Sequence, residues 1–132
     1  MAASEHVGEL ELELFAPSAA GVFEQAARLL AAEEAPEADL AAAGGEPLEL
    51  ALEAPDLAAL LVDWVNELVY LTETTGRAYP EARVHELSET ALRASLLGIE
   101  VPLRHAVKAA TLHGAEVRET PAGWQGRLLV DV

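Results

Sequence analysis

The sequence predicts an α+β fold: a mixed or antiparallel β-sheet with two main α-helices packed on it. Three stretches carry this reading. In Glu9-Leu10-Glu11-Leu12-Glu13-Leu14-Phe15, apolar and acidic residues alternate strictly, the period-2 signature of a strand with one buried face. After Pro55, the residues Leu57, Leu60, Leu61, Trp64, Val65, Leu68 and Leu71 recur at the i, i+3, i+4 spacing of an amphipathic helix. The closing run from Gly123 through Leu128, Leu129 and Val130 reads as an apolar strand that finishes on Asp131 and Val132. Two helices among about six strands place the chain in the α+β class.

The elements follow in order. After the first strand, Pro17-Ser18 breaks the alternation, and Ser18 is a good N-cap for a helix carrying Val22, Phe23, Ala26, Leu29 and Leu30 on one side. The stretch from Glu33 to Gly45 is rich in Ala, Glu, Pro and Gly without an apolar period, and is expected to be a surface loop. A second strand, Leu48–Glu53, leads to Asp56, the N-cap of a helix that runs to about Leu71. That helix turns Asp63, Asn66, Glu67 and Tyr70 away from its apolar side. Ala82–Leu87 and Thr90–Leu97 read as a hairpin, and Pro102 leaves Val101–Arg104 ambiguous. A final hairpin pairs roughly Val107–Glu119 with Trp124–Val132 across Thr120-Pro121-Ala122-Gly123.

Composition bounds the class. A chain of 132 residues fits a single domain, 1–132, with enough material to bury a core without staples. With 52% hydrophobic residues it is not a disordered chain, and no apolar run approaches the ~20 residues of a membrane span. The opening Met-Ala-Ala-Ser-Glu-His has neither the basic region nor the apolar stretch of a secretory signal, so a cytoplasmic protein is expected. Absence of cysteine rules out disulfides, thiolate metal sites and a cysteine nucleophile.

Charge excludes more than it identifies. Eight Lys+Arg stand against 23 Asp+Glu, a net charge of -15. Such a surface repels the phosphate backbone that nucleic-acid binding must neutralise, so direct nucleic-acid binding is not expected. The same surface suits a basic protein partner, whose complementary potential speeds and orients docking.

Enzyme signatures are lacking: there is no Gly-rich phosphate loop, no G-x-S-x-G elbow and no H-E-x-x-H. His6, His85, His105 and His113 are scattered, with no i, i+4 pair, and each reads as structural or solvated. Ser–His–acid groups meet in space rather than in sequence, and no pattern here argues for one. At the chain end, Asp131 and the terminal carboxylate of Val132 bring two anionic groups to a docked strand, oxygen donors of the kind Ca²⁺ or Mg²⁺ favours. The plainer reading of Asp131 is a solvated strand-end acid.

Four blocks, in order and with compatible spacing, resemble a known family. Asp63-Trp64-Val65-Asn66-Glu67-Leu68-Val69-Tyr70-Leu71 is similar to the archease helix motif D-W-L-N-E-L-L-Y-L. Val107-Lys108-Ala109-Ala110-Thr111-Leu112-His113 resembles V-K-A-V-T-Y-H, and Gly123-Trp124 with Leu129-Val130-Asp131-Val132 resembles the family's G-W…V-x-D-V/I terminus. His6-Val7-Gly8-Glu9 stands where archeases carry H-T-A-D. Together the blocks span essentially the whole chain.

The resemblance implies an accessory protein, itself not an enzyme, of the tRNA-splicing RNA ligase. That ligase joins 2′,3′-cyclic phosphate or 3′-phosphate ends to 5′-hydroxyl ends. The accessory protein promotes guanylylation of the ligase, restores it for further turnovers and widens its nucleotide usage. The cellular task implied is tRNA splicing or, in a bacterial host, RNA repair. The family's divalent-cation site (Ca²⁺, or Mn²⁺/Mg²⁺) maps onto Glu9, Asp131 and the carboxylate of Val132. Lys108, with His6 and His113, maps onto partner or activation positions. Glu9 replaces the family's Asp and is one methylene longer, while Val7-Gly8 replaces Thr-Ala and removes a hydroxyl. Two other readings compete: a chaperone-like binding module with no specific ligase role, and a metal-dependent hydrolase using Glu9 and Asp131.

Overall fold

The computed structural model describes residues 8–132 in full and residues 2–6 by their backbone. Among the described residues, seven strands and two long helices follow one another as β1 (Ala2–His6), β2 (Glu9–Ala16), α1 (Ala19–Glu34), β3 (Gly44–Glu53), α2 (Leu57–Thr75), β4 (Arg77–Leu87), β5 (Ala91–Glu100), β6 (Ala109–Thr120) and β7 (Gly123–Asp131). The α+β class and the two packed helices are as the sequence predicts. The strands divide between two sheets, one ordered β1-β2-β7-β6 and the other β3-β5-β4, and every pairing is antiparallel. Among the described residues no helix is long and apolar enough to cross a membrane.

Alternation does in β2 what it promised. Leu10, Leu12 and Leu14 are buried, Glu9, Glu11 and Glu13 line the opposite face, and the strand is paired on both sides, by β1 and by β7. Because the side-chain period is 2, a slip of one residue would bury the glutamates, so the register is strongly specified. Leu128 and Val130 of β7 join the same core layer. Gly8, at φ 76, takes the left-handed turn position between β1 and β2 that an L side chain resists.

The helices fill the space the sheets define. Ser18 Oγ accepts the Gly21 N–H at 3.1 Å to cap α1, and Asp56 Oδ1 accepts the Ala59 N–H at 2.8 Å to cap α2. Helix α1 packs chiefly on β4 and β2, α2 chiefly on β6, and both also touch strands of the other sheet. Helix α2 runs one turn beyond Leu71 to Thr75, where Gly76, at φ 71, forms a left-handed cap and returns its N–H to Thr72 O.

Two expectations are corrected in the connections. The stretch expected to be a surface loop from Glu33 is still helix through Glu34. Ala35 beyond it is buried, and a short 3₁₀ turn follows at Leu40–Ala42. Residues 101–108 form neither helix nor strand, so the last hairpin starts at Ala109 rather than Val107. Val107 is nonetheless buried, as an anchor of the irregular segment.

At the centre, Trp64 is 0% exposed. Its ring meets Phe23 edge-on, with centroids 6.3 Å apart and planes at 67°, and its Nε1–H donates to Phe23 O at 2.8 Å. One side chain thus joins α2 to α1 by volume and by a satisfied buried donor. Trp64→Ala is expected to destabilise the fold by about 3–5 kcal/mol. Trp64→Phe is expected to destabilise less, since it keeps an aromatic ring in the site and loses the indole bond and only part of the ring volume. Urea denaturation measures both, and a midpoint unchanged in Trp64→Ala would refute the central role.

Candidate functional site

The end of the four-stranded sheet gathers residues from three separated parts of the sequence. Glu9, the first residue of β2, is the direct register partner of Asp131, the last of β7. Residues directly opposed in an antiparallel pair have Cβ atoms about 4.5–5.5 Å apart and share one face of the sheet. On its other side Asp131 pairs with Ala109 of β6, and its carbonyl accepts the Lys108 N–H at 2.8 Å. The Val132 N–H donates to Gly8 O at 3.2 Å, which ties the last residue of the sequence beside the turn that precedes Glu9. Two of the three residues proposed to hold a cation are therefore cross-strand neighbours, and the third is held next to them by its backbone.

Glu9 differs from the two acids that share its face. Glu13 is opposite Arg127, and Arg127 Nε lies 2.8 Å from Glu11 Oε1. Glu9 instead faces another carboxylate. Like charges directly opposed across a strand pair are destabilising, so this end of the sheet carries a repulsion that its neighbours on β2 do not. Asp131 is exposed, Glu9 half-buried and Val132 38% exposed. Among the described residues no three His, Asp or Glu side chains gather into a group able to hold a metal ion. The donors at this edge are two side-chain carboxylates, with the carboxylate that Val132 bears in this sequence.

Lys108 reaches this edge by its backbone, and its side chain is exposed. Two polar side chains that sequence reasoning did not single out fix its surroundings. Asn66 was expected on the outward side of its helix. It is half-buried, its Oδ1 accepting the Ala110 N–H at 2.7 Å and its Nδ2 donating to Ala110 O at 3.3 Å. This two-way bridge fastens α2 to β6, two residues beyond Lys108. The signal was present in the sequence: an amide inside an apolar helix can satisfy both backbone groups of one residue, as no charged side chain can. Glu34 lies on the apolar stripe of α1, four residues after Leu30, and its carboxylate accepts from the 101–108 segment.

The other expected partner positions separate. His6 is the register partner of Glu9 in β1, and its side chain lies outside the described residues. His113 is exposed on β6, four residues past Ala109, where the β6–β7 register shifts between Thr111 and Glu116; it does not join Glu9 and Asp131. A Ser–His–acid grouping does occur on the other sheet. His85 Nε2 lies 2.6 Å from Ser95 Oγ, which lies 2.8 and 2.9 Å from the two Glu49 carboxylate oxygens. Its order is wrong for a nucleophile triad, in which the histidine stands between acid and serine. Here the serine bridges the other two.

The fold and this edge define a small two-sheet α+β protein whose separated motifs meet at one sheet end. The Archease protein family (MTH1598/TM1083) model matches residues 2–132, and the chain belongs to the archease family. It is 31% identical over 137 residues to the protein archease of Methanosarcina barkeri, covering 97% of this chain and 92% of that one. Two solved structures share the fold. Protein 1598 of Methanobacterium thermoautotrophicum superposes with a TM-score of 0.70 at 20% identity, over 98% of this chain and 96% of its own. A Thermotoga maritima archease, described as a possible chaperone, gives 0.63 at 17%, over 98% and 94%.

Asn66→Ala removes both partners of Ala110 at a buried seam and is expected to cost about 1–3 kcal/mol in urea denaturation. Asn66→Asp keeps the Oδ1 acceptor and is expected to retain protection of the Ala110 amide against hydrogen exchange, which Asn66→Ala is expected to lose. Equal exchange in the two variants would show that the bridge does not hold β6.

Proposed function

We propose that this protein is an accessory factor of the tRNA-splicing RNA ligase that joins 2′,3′-cyclic phosphate or 3′-phosphate ends to 5′-hydroxyl ends. In this role it promotes guanylylation of the ligase and repeated turnover, and does no ligation of its own. The observation that carries the reading is the cross-strand pairing of Glu9 with Asp131. It brings the opening motif and the closing motif of the family resemblance to one edge, with Lys108 hydrogen-bonded to the same strand end.

The donor set fits a hard divalent cation. It is all oxygen and anionic, and Ca²⁺ accepts such donors in variable geometry, which suits a glutamate in place of the shorter aspartate. Glu9, Asp131 and the Val132 carboxylate would hold the ion, which would relieve the repulsion between the paired acids and offset most of the negative charge at this edge. Lys108 adds a cation beside it for an anionic group of the ligase or its nucleotide. The rest of the molecule acts by docking. A surface of net charge -15 is drawn to a basic cleft, and binding one ligase conformation more tightly than another shifts its population toward the guanylylation-competent state.

The description of the Thermotoga maritima protein as a possible chaperone favours a second reading, general protein binding without a specific ligase role. A multiple-turnover ligation assay separates the two. With ligase substoichiometric to RNA and GTP saturating, the purified protein is expected to raise product yield severalfold, while alone it yields none. Equal yields with and without it would count against the ligase reading.

Within that role, Asp131→Ala is expected to abolish both calorimetric Ca²⁺ or Mn²⁺ binding and ligase activation while leaving the fold intact, since Asp131 is exposed. Extending the chain beyond Val132 is expected to impair both as well, because an amide replaces the charged terminus. Wild-type activation by Asp131→Ala would make Asp131 a solvated strand-end acid.

A further inference from the structure

Residues 101–108 have no strand or helix ladder to satisfy their backbone, yet they lead directly into Lys108. Buried N–H groups in such a segment must find partners elsewhere. One residue supplies three such partners. Glu34, 2% exposed at the end of α1, accepts the Ala106 N–H at 2.5 Å and the Val107 N–H at 3.3 Å on Oε1, and its backbone carbonyl accepts the Arg104 N–H at 2.9 Å. The Lys108 N–H then donates to Asp131 O at 2.8 Å. The stretch 104–108 is thus tethered between the end of α1 and the carboxylate edge.

A carboxylate is a poor choice for this position on stability grounds alone. It is buried, where charge is costly, and it stands at a helix C-terminus, where the macrodipole disfavours negative charge. An apolar residue would fill the space. What an anionic acceptor adds is charge assistance in its bonds to successive backbone N–H groups. The carboxylate's bonds to Ala106 and Val107, together with the Glu34 carbonyl's bond to Arg104, flank His105, which at φ 52 is the one non-glycine residue with positive φ among the described residues. Such a conformation persists only where its surroundings over-determine it. The held stretch exposes Arg104, His105 and Lys108, so two of the chain's eight Lys+Arg stand within five residues, Arg104 bonded to the end of α1 and Lys108 to the carboxylate edge.

We propose that Glu34 is a positioning residue: it holds segment 101–108 in the one conformation that presents Lys108 and Arg104 to an anionic surface of the ligase. The inference rests on the ligase role proposed above, and Glu34 touches no partner itself. Without its carboxylate the segment loosens, and docking must bear the cost of ordering it.

The experiment pairs two readouts across wild type, Glu34→Gln and Glu34→Ala. One is hydrogen exchange at the Ala106 and Val107 amides. The other is the concentration of this protein that gives half-maximal stimulation in multiple-turnover ligation. Exchange is expected to quicken in the order wild type, Gln, Ala, since the Gln carbonyl accepts the same N–H groups more weakly. Half-activation is expected to rise in the same order, by about tenfold for Glu34→Ala, with the plateau rate unchanged. In a Lys108→Ala background the Glu34 effect on half-activation is expected to shrink, as for coupled residues. Should Glu34→Ala fail to fold, Glu34→Gln alone carries the comparison. A looser segment with wild-type half-activation, or no loosening in either variant, overturns the positioning role while the ligase reading stands. Failure of the wild-type protein to stimulate at all overturns the ligase reading and this inference with it.

Discussion

The pairing of β2 with β7 is the constraint on which the rest depends. Its register places Leu10 opposite Val130 and Leu12 opposite Leu128, and these four side chains are core. The same register, read on the other face, places Glu9 opposite Asp131 and Glu13 opposite Arg127. A one-residue slip would push glutamates against the helices and expose leucines, each of which contributes roughly 1.5–3 kcal/mol by burial. The hydrophobic face therefore enforces the meeting of two acids that repel. Core energetics hold the carboxylates together, and no feature of the acids themselves is needed to do so.

What the sequence made legible follows from the same physics. Strict periodicity exposed β2 and α2, because one face of each is buried and the other is not. Ser18 and Asp56 were readable as caps, since their side chains bond the helix they begin. The strand Ala2–His6 was missed because Ala-Ala-Ser-Glu-His has no alternation to reveal it. The division of strands into two sheets was equally hidden, since β3 and β5 pair through backbone atoms that every residue carries. Glu34 and Asn66 were misread for one reason: each is a polar residue whose partners lie more than forty positions away in sequence. Family resemblance supplied Glu9 and Lys108, Asp131 was readable from the strand end itself, and the register then gave the juxtaposition of Glu9 with Asp131, which no spacing in the sequence contains.

Cationic charge is sparse and unevenly used. Arg127 pairs with Glu11, Arg93 with Glu86 and Arg118 with Glu116, all across or along strands at the surface. The exposed pairs Arg93–Glu86 and Arg118–Glu116 add little to stability, and with Arg127–Glu11, whose glutamate is 14% exposed, they neutralise acids locally on the sheet faces. Arg104 and Lys108 instead lie on an irregular segment whose backbone is held by Glu34 and Asp131. The sheet end thus sets a pair of opposed carboxylates next to Lys108, a mixed pattern within a surface of net negative charge. Uniform negative charge attracts any basic partner; a fixed alternation of sign selects one orientation of it.

The number of donors at this edge bears on how such a site would operate. Ca²⁺ takes roughly 6–8 oxygen ligands. Glu9, Asp131 and the Val132 carboxylate supply at most two oxygens each, and only if all three bind in bidentate fashion. Closed structural sites fill their coordination from one chain, whereas at this edge Asp131 and Val132 are exposed. In the role proposed here, the carboxylates therefore leave positions for water or for oxygen atoms of a bound partner. Glutamate at position 9 reinforces the point: its longer side chain carries the carboxylate further from the strand than aspartate would. The exposure of Asp131 follows from its place at the terminus of the sheet rather than within its core.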